Sequence, residues 1–407
     1  MHHSITYDLS AIPGFNDLLF REESNHALRL NVSHCRVTDT TYKVVRYDKT
    51  TLSNDLVAVY GLCRSIVVNA ANKVVAFSPP KSLNAESFMQ QYKDLAQEQI
   101  LGEEFVEGTM INVFFDPMVN KWEIATRNTV GAESSFYKKA HSKTFRDMFF
   151  EAADVCGLHL DDSLDTKYCY SFVLQHPENR IVVPFVRPML YLVGVYEIEQ
   201  DNAEHITVQS HPLTNFVHLN IALPAIYLFT TYAEAIERFG SMNTSYQVVG
   251  VILRNQKTGE RTKIRNPVYE QVRGLRGNQP RLQYQYLCLR REGKVRDFLT
   301  YYPENKKELS VFRDQLHLFT NTLYANYISC YVTKTKPLKE FGEQYRTHMF
   351  HLHELYRNEL KPRSEYVNRA IVQGYVNKLH PSLLMHCLNM PLRKNAVDTI
   401  VADATMA

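Results

Sequence analysis

The hydrophobic pattern changes partway along the chain, and this change limits the possible folds more than any other feature. Up to about residue 270, short β-branched runs alternate with turn signals; examples are LCRSIVVN from Leu62, TMINVFFD from Thr109, RIVVPFV from Arg180 and MLYLVGVYEI from Met189. Helical patterns lie between these runs, and segment 247–267 predicts a hairpin with its tip near Thr258 and Gly259. We therefore expect a mixed α+β region with largely antiparallel strands.

After Tyr302 the apolar residues instead recur at intervals of three and four, which predicts helices. Segments 308–332, 341–360 and 365–380 show this spacing, with prolines between them. A chain of 407 residues is long enough for more than one domain. We expect an α+β domain over residues 1–272 and an all-helical domain over residues 273–407.

Composition points to a globular protein without a membrane segment. The hydrophobic fraction of 45% and the charged fraction of 22% are ordinary for such proteins. The longest apolar run, from Ile181, is interrupted by Pro184, Arg187 and Pro188, and the next, from Asn220, is too short to span a bilayer. The N-terminus lacks the apolar stretch of a signal peptide. These features predict an intracellular location.

Cysteine and histidine usage gives no metal-site pattern. The seven cysteines are odd in number and scattered without a C-x-x-C pair, which favours a reducing compartment over a structural zinc site. His348 and His351 are three residues apart on a predicted helix, but only Glu354 lies near enough in sequence to join them. We expect a packed or solvated helix face there and no bound metal.

Charge is distributed unevenly although the net charge is only +3. Between Val251 and Thr300 there are twelve Lys or Arg residues against four Asp or Glu. Aromatic residues are interleaved with the basic run from Arg254 to Arg296: Tyr269, Tyr284, Tyr286 and Phe298. The run fits either a solvated face or a surface that binds single strands by charge and stacking.

A series of short segments carries the chemistry in a specific order. They are YGLCRSIVVN from Tyr60, VVAFSPPKSLN from Val74, EEFVEGTMINVFFD from Glu103, WEIATRNTVGA from Trp122, YSFVLQHPENRIVVPF from Tyr170 and VVGVILRNQKTGERTKIRNP from Val248. In this order they resemble the nucleotidyltransferase motifs of the bacteriophage tRNA-repair RNA ligase family. The resemblance covers roughly Tyr60 to Pro267, and a helical extension also suits that family. It implies a ligase nucleotidyltransferase fold.

The resemblance also implies a reaction and its cofactors. In such ligases a lysine amine attacks the α-phosphate of ATP, and the resulting lysyl-AMP passes its AMP to an RNA 5′-phosphate. Carboxylates hold Mg²⁺ against the phosphates, and further Lys and Arg side chains neutralise charge on the transferring phosphorus. ATP, Mg²⁺ and single-stranded RNA are therefore the cofactors and partner that the resemblance implies if ligase activity persists.

The cationic positions of the family are largely retained. The positions that match its nucleotide- and phosphate-binding residues are Arg64, Lys81, Arg127, Lys263, Arg265 and the turn formed by Glu107 and Gly108. Ser65 replaces the glycine that follows the family arginine, and Arg265 replaces the second lysine of the closing Lys-x-Lys. Asn179 and Arg180 match the Asn-Arg-Ile-Val signature.

The nucleophilic and acidic positions are not retained. Phe105 stands where the family has its lysine nucleophile, and Val173 and Val249 stand where it has glutamates. A phenyl ring cannot attack phosphorus, and valine cannot bind Mg²⁺. No catalytic position is intact. Phe105 either fills the space that ATP vacated or stacks on a base or adenine. A third alternative is a misaligned motif with a substitute lysine, but the nearest lysines, Lys93 and Lys121, do not precede a glycine turn.

Three functions remain open on these residues. The first is an RNA-ligase-like protein that has lost self-adenylation and binds RNA or other polyanions. The second is an active RNA ligase or nucleotidyltransferase that works by an altered route, such as one that accepts pre-adenylated RNA. The third is a structural or virion scaffold protein that keeps the fold alone. Because such chains are typical of phages and large DNA viruses, the resemblance also suggests a viral protein, and a viral protein would be virion-associated rather than cytoplasmic. The oligomeric state is left open.

Overall fold

Two compact units make up the chain, residues 1–273 and 274–407. The computed structural model describes residues 4–21, 23, 25–136, 142–201 and 205–391. The division between the units lies inside one helix, Pro267–Arg276.

The first unit is built on antiparallel sheets. Its strands are β1 (Ile5–Asp8), β2 (Leu28–Cys35), β3 (Thr40–Tyr47), β4 (Ile66–Val68), β5 (Val74–Phe77), β6 (Ile100–Glu104), β7 (Thr109–Asp116), β8 (Lys121–Ala125), β9 (Tyr168–Gln175), β10 (Met189–Gln200), β11 (Ile206–His211), β12 (Ile226–Tyr227), β13 (Gly250–Asn255) and β14 (Arg261–Arg265). They form sheets in the orders β1-β11-β10-β9-β7-β8, β12-β6-β13-β14 and β2-β3-β4-β5. The pairings between these strands are antiparallel, as in β7 with β9 and β13 with β14. The predicted α+β fold class is confirmed.

Helices of the first unit cover the sheets or connect their strands. They are α1 (Phe15–Phe20), α2 (Val57–Tyr60), α3 (Ala85–Gln91), α4 (Phe145–Cys156), α5 (Leu160–Ser163) and α6 (Tyr232–Phe239). Local sequence sets the ends of α4: Thr144 and Asp147 form a capping box at its start, and Gly157 ends it with φ of 71°. Buried residues of α4 then pack against β9 and β10 in the core of the six-stranded sheet.

The sheet β12-β6-β13-β14 has one apolar face and one charged face. Ile100, Val251 and Ile264 lie on the apolar face and pack against Phe88 of α3 and Phe239 of α6. Because side chains alternate along a strand, the residues between them project from the opposite face. That opposite face carries the basic residues of β14, and it positions the candidate site.

One predicted strand is absent. The segment from Ile181 to Val186 is irregular, although its composition predicted a strand. The backbone N–H groups of Val182 and Val183 donate to the Glu107 carboxylate, so these donors are not available to a neighbouring strand. The buried carboxylate of Glu107, instead of a neighbouring strand, accepts the hydrogen bonds of these two N–H groups.

The C-terminal helices follow the predicted spacing. They are α7 (Pro267–Arg276), α8 (Leu282–Arg291), α9 (Val295–Tyr301), α10 (Lys306–Tyr327), α11 (Glu343–Leu355) and α12 (Arg369–Lys378). The helices predicted after Tyr302 are confirmed, and α10 and α11 each continue into a π-helical turn, Ile328–Val332 and Tyr356–Leu360. None of the helices in the described parts of the chain is both long and apolar enough to cross a bilayer.

Candidate functional site

Basic residues alternate along β14 and project from one face of its sheet. Arg261, Lys263 and Arg265 are two residues apart, and Thr262 and Ile264 between them point to the opposite side. The hairpin holds this alignment because Ile252 pairs with Lys263 and Gly250 pairs with Arg265. The strand therefore presents three positive side chains to the same space.

Phe105 lies directly against two of these cations. It follows β6, and the Nζ atom of Lys263 is 4.4 Å from its ring centroid. The guanidinium carbon of Arg265 is 5.5 Å from the same centroid. Both distances are within the range of cation–π contacts. The residue aligned with the family's nucleophile is thus a ring that contacts two basic side chains.

Lys263 lies in a strongly positive environment. Burial lowers its pKa most, and the nearby Arg261, Arg64, Arg265 and Arg273 lower it further, to about 6. Within the described residues, no carboxylate lies within 4.0 Å of its amine. The amine is therefore mostly neutral at pH 7, unlike an ordinary lysine.

Arg64, Lys81 and Arg127 form the adjoining part of the site. The Nε atom of Arg127 donates to the Arg64 carbonyl at 3.4 Å, and its guanidinium carbon lies 4.9 Å from the ring centroid of Tyr47. Burial, followed by the charge of Arg127, lowers the pKa of Lys81. Burial lowers the pKa of Arg64 as well, and Arg127 contributes to that shift. Arg64 joins this part to β14, since its charge also affects Lys263.

The structure thus places the five cations that match the family positions in one continuous patch, together with Arg261. We call Arg64, Lys81, Arg127, Arg261, Lys263 and Arg265 the basic cluster. Of these six, Arg265 has an ion-pair partner in Glu270, at 2.5 Å.

Arg261 belongs to the cluster but was not among the predicted site residues. Its guanidinium is buried and donates to the carbonyl oxygen of Pro80 at 2.6 and 3.1 Å and to that of Pro79 at 3.3 Å. Burial, with the charges of Arg254 and Arg64, lowers its pKa to about 9. It holds the segment that carries Lys81. The alternation of basic residues along β14 is the sequence signal that identifies it.

Arg46, on β3, also borders the cluster. Its Nη1 atom donates to the Asn128 side chain at 2.5 Å, and burial and the charge of Arg127 lower its pKa. Its position depends on the packing of β3 beside the loop after β8, so no motif in the sequence points to it.

Acidic side chains close to the cluster are already engaged. Glu103 holds Arg254 through two contacts of 2.7 and 3.0 Å. The carboxylate of Glu107 accepts from the N–H of Val182 at 2.8 Å and of Val183 at 3.1 Å, and from the Tyr269 hydroxyl. Burial raises the pKa of Glu107 although these bonds oppose the shift. Glu107 therefore organises the segment after Asn179 and Arg180 rather than facing an open cleft.

Asn179 and Arg180 stabilise the same turn. The Asn179 amide donates to the Thr109 hydroxyl at 2.8 Å, and the Nε atom of Arg180 donates to the Val182 carbonyl at 2.9 Å. Both contacts tie the signature to the start of β7 and to the segment that Glu107 holds.

Two glycines of the matched motifs are needed where they stand. Gly108 has φ of +150°, and a Cβ there would lie 2.4 Å from the Leu174 carbonyl oxygen and 2.6 Å from a methyl carbon of Val173. Gly250 has φ of +137°, and its Cβ would lie 2.1 Å from the carbonyl oxygen of Ile264. A side chain at either position would therefore clash with the backbone of a neighbouring strand, so both turns require glycine.

The residues at the family's metal positions do not fit Mg²⁺. Val173 and Val249 are both buried and offer no side-chain oxygen. Across the described ranges, no group of three or more His, Cys, Asp or Glu side chains is placed to hold a metal ion. We derive no chemical step through a metal for this chain.

The histidines of α11 and the aromatic residues of the basic run mostly have packing roles. His348 is buried, contacts the Tyr375 hydroxyl at 2.8 Å and Cys387 Sγ at 3.3 Å, and burial lowers its pKa. His351 instead pairs with Glu354 at 3.2 Å. Of the two alternatives for the basic run, a stacking surface does not fit three of its four aromatic residues, because these are buried: Tyr269, Tyr286 and Phe298.

Comparison with known proteins points to one group of enzymes. No protein-family model matches the sequence. A curated RNA ligase from Rhodothermus phage RM378 is 24% identical over 286 residues, covering 62% of this chain and 64% of the phage protein. The chain is thus similar in sequence to a phage RNA ligase. The resemblance to bacteriophage RNA ligases, inferred from the order of its motifs, is confirmed.

Other similar proteins extend the comparison. An immediate-early protein ICP-46 homolog of Invertebrate iridescent virus 6 is also 24% identical, over 63% of this chain and 58% of that protein. The matches thus span less than two thirds of either viral relative. Among solved structures, a Naegleria gruberi RNA ligase mutant with ATP and Mn aligns over 66% of this chain and 84% of its own, with a TM-score of 0.34 and 11% identity.

Proposed function

We propose that this RNA-ligase-like chain binds single-stranded RNA, or another strand with the same phosphate backbone, through the basic cluster, and that it has lost self-adenylation. The main support is the charge balance: in the described part of the chain, Arg64, Lys81, Arg127, Arg261 and Lys263 have no carboxylate within ion-pair distance. The similarity to a phage RNA ligase makes RNA the first strand to test.

Clustered cations favour an anionic ligand on energetic grounds. Like charges that are partly buried and unpaired raise the free energy of the folded chain, and the lowered pKa values of Arg64, Lys81 and Lys263 reflect this cost. A phosphate in the cluster would supply the missing negative charge. The retained cations and the lost acids are therefore consistent with a site for a phosphodiester backbone that needs no metal.

Loss of self-adenylation is proposed from three positions. Phe105 contacts Lys263 and Arg265 and offers no nucleophile. Val173 and Val249 are buried and cannot bring Mg²⁺ to a triphosphate. Glu103 and Glu107, which lie nearby in sequence, are held by Arg254 and by backbone N–H groups.

We expect RNA affinity to depend steeply on salt. If about four phosphates contact the cluster, the logarithm of the association constant should fall with log salt at a slope of roughly −3, from about −0.7 per phosphate on single strands. Replacing both Lys263 and Arg265 with alanine should flatten the slope by roughly one to two units. Fluorescence anisotropy of a labelled short RNA across a salt series measures both quantities.

A matched control uses lysines outside the cluster. Lys121 and Lys257 are exposed, so their double alanine variant removes comparable formal charge and should bind like the parent chain. Undetectable or salt-independent binding by the parent would contradict RNA binding and favour a scaffold role. Equal losses of RNA affinity in the two double variants would show that net charge, rather than the basic cluster, determines the affinity.

We also expect RNA to bind more tightly at lower pH. The pKa of Lys263 is about 6 in the free chain, where the guanidinium groups of Arg64, Arg261, Arg265 and Arg273 face it. A phosphate beside the amine raises that pKa, so RNA binding takes up a proton. The resulting gain in affinity is complete below pH 6, and it is lost as the pH rises through the higher pKa of the complex. Affinity should increase about tenfold from pH 8 to pH 6, since up to one proton is taken up over part of this range.

Lys263→Met is the informative variant for this pH dependence. It keeps an aliphatic chain against Phe105 and removes the titrating amine, so its affinity should change less than about threefold between pH 8 and pH 6. Anisotropy titrations at constant ionic strength make the comparison. A pH dependence of full size in Lys263→Met would assign the effect to another group.

A further inference from the structure

An amine that is partly buried among arginines, with no acidic partner in the described parts of the chain, is chemically unusual. Lys263 has this setting: its Nζ atom lies against the Phe105 ring, and Arg261 and Arg265 flank it on the same face of β14. Lys263 is half-buried rather than fully enclosed. The same surroundings that attract phosphate keep the amine largely unprotonated.

We propose that Lys263 forms an imine with an aldehyde that is joined to a phosphate group. The inference deepens the proposed function, since the phosphate is held by the same basic cluster. Two sources carry this chemistry: a small phosphorylated aldehyde, and the open-chain sugar of an abasic site in a nucleic-acid strand. In both, the phosphate lies a few bonds from the carbonyl carbon.

The reaction requires only groups that are present. The lone pair of the Lys263 Nζ atom attacks the aldehyde carbon, a C–N bond forms, and the carbonyl oxygen leaves as water with the two amine hydrogens. No metal, oxidant or acidic side chain enters this balance. An aldehyde is already electrophilic, whereas the α-phosphate of ATP needs charge neutralisation by a metal. The loss of the family's carboxylate positions therefore leaves this reaction possible.

The arginines that would bind a phosphate and the reactive amine of Lys263 are close enough to contact one ligand. The guanidinium carbon of Arg265 and the amine of Lys263 approach the same ring, at 5.5 and 4.4 Å from its centroid. Arg64 contributes positive charge at Lys263 from a different element. A phosphate bound by these arginines brings a tethered aldehyde to the amine at high effective concentration.

The first experiment uses pyridoxal 5′-phosphate at pH 7, followed by borohydride reduction and peptide mapping of the full chain. We expect Lys263 to be labelled roughly 10- to 100-fold more than Lys257 of the same hairpin, because the pKa of the Lys263 amine lies far below that of an ordinary lysine. Pyridoxal, which lacks the phosphate, should label Lys263 at least about fivefold less. Labels spread evenly over the lysines would overturn the proposal, and this test needs no variant.

The second experiment uses a single-stranded oligonucleotide with one abasic deoxyribose. Borohydride should trap a covalent complex with the parent chain and with Lys257→Arg, and at least about tenfold less with Lys263→Arg, which keeps the charge but has no reactive amine. Trapping with pyridoxal 5′-phosphate alone would assign the reaction to small phosphorylated aldehydes.

Anisotropy with the same oligonucleotide separates this inference from the proposed function. If the strand binds but neither aldehyde is trapped at Lys263, the imine proposal fails and strand binding stands. If pyridoxal 5′-phosphate labels Lys263 and no strand binds, the proposed function fails and the reactive lysine stands.

Discussion

Phe105→Lys alone is expected to leave the chain without covalent AMP after incubation with α-labelled ATP and Mg²⁺. The new amine would face Lys263 and Arg265, which now contact the Phe105 ring, so its pKa would be lowered and it would be a competent nucleophile. The triphosphate would still lack its metal, because valine occupies both carboxylate positions. Removing one such group costs several orders of magnitude in phosphoryl-transfer sites, so labelling should stay below about one chain in a thousand.

Three comparisons make this result interpretable. The parent chain should be equally unlabelled, a phage RNA ligase in the same assay should be labelled, and the spectra of the variant should match those of the parent. Label that survives denaturation at a near-stoichiometric level and maps to residue 105 would show that Val173 and Val249 do not occupy the metal positions. Label on any lysine of the parent would contradict the loss of self-adenylation.

Glu103→Gln is expected to destabilise the first unit far more than Arg254→Met. The Glu103–Arg254 pair is largely shielded from solvent, with side chains 19% and 15% exposed and contacts of 2.7 and 3.0 Å, and Arg261 lies close to both. Removing the carboxylate leaves two arginines without a counter-charge, which should lower the free energy of unfolding by about 3–5 kcal/mol. Removing Arg254 leaves Glu103 beside Arg261, so the loss should be about 1–2 kcal/mol.

Tryptophan fluorescence measures this difference in the relevant unit. The chain has one tryptophan, Trp122 on β8, so its signal in urea reports on the first unit. A conservative change at an exposed ion pair of the same unit, Arg21 with Asp17, should shift the midpoint little, because exposed ion pairs contribute at most about 1 kcal/mol. Equal losses of unfolding free energy for Glu103→Gln and Arg254→Met would mean that Arg261 does not stabilise Glu103 when Arg254 is removed. The electrostatic interaction between Glu103 and Arg261 would then be weaker than the pKa shifts imply.

Local sequence patterns were sufficient for many elements of the fold. The hairpin of β13 and β14 and the helix α4 have strong local signals: turn residues at the hairpin tip, and a capping box with a terminal glycine at α4. The segment from Ile181 to Val186 has an equally strong strand composition and forms no strand. The conformation of this segment depends on the buried Glu107, which lies 75 residues before Val182 in the chain. Strand propensity is a local property and does not include such a distant hydrogen-bond partner.

Part of the site could also be located from the sequence. Motif order points to Arg64, Lys81, Arg127 and Lys263, because each has a fixed place relative to a turn or strand. Arg46 could not be found in this way, since its role depends on the packing of β3 beside Asn128. Tyr286 was considered for a stacking surface because it lies within the basic run, but its side chain is buried. Composition alone does not reveal which face of a helix is buried.

The sequence by itself indicated the α+β class, the helices after Tyr302 and the similarity to RNA ligases, and it led to the proposal that Phe105, Val173 and Val249 replace a lysine and two glutamates. These properties depend on residue identity and on short-range order, both of which can be read along the chain. Only the tertiary structure decided that Phe105 contacts Lys263 and Arg265, that Glu103 is occupied by Arg254, and that Lys263 is left without an acidic partner among the described residues. The physical reason is that the charge state and reactivity of a side chain depend on burial and on neighbours from distant segments, which come together only when the sheets pack.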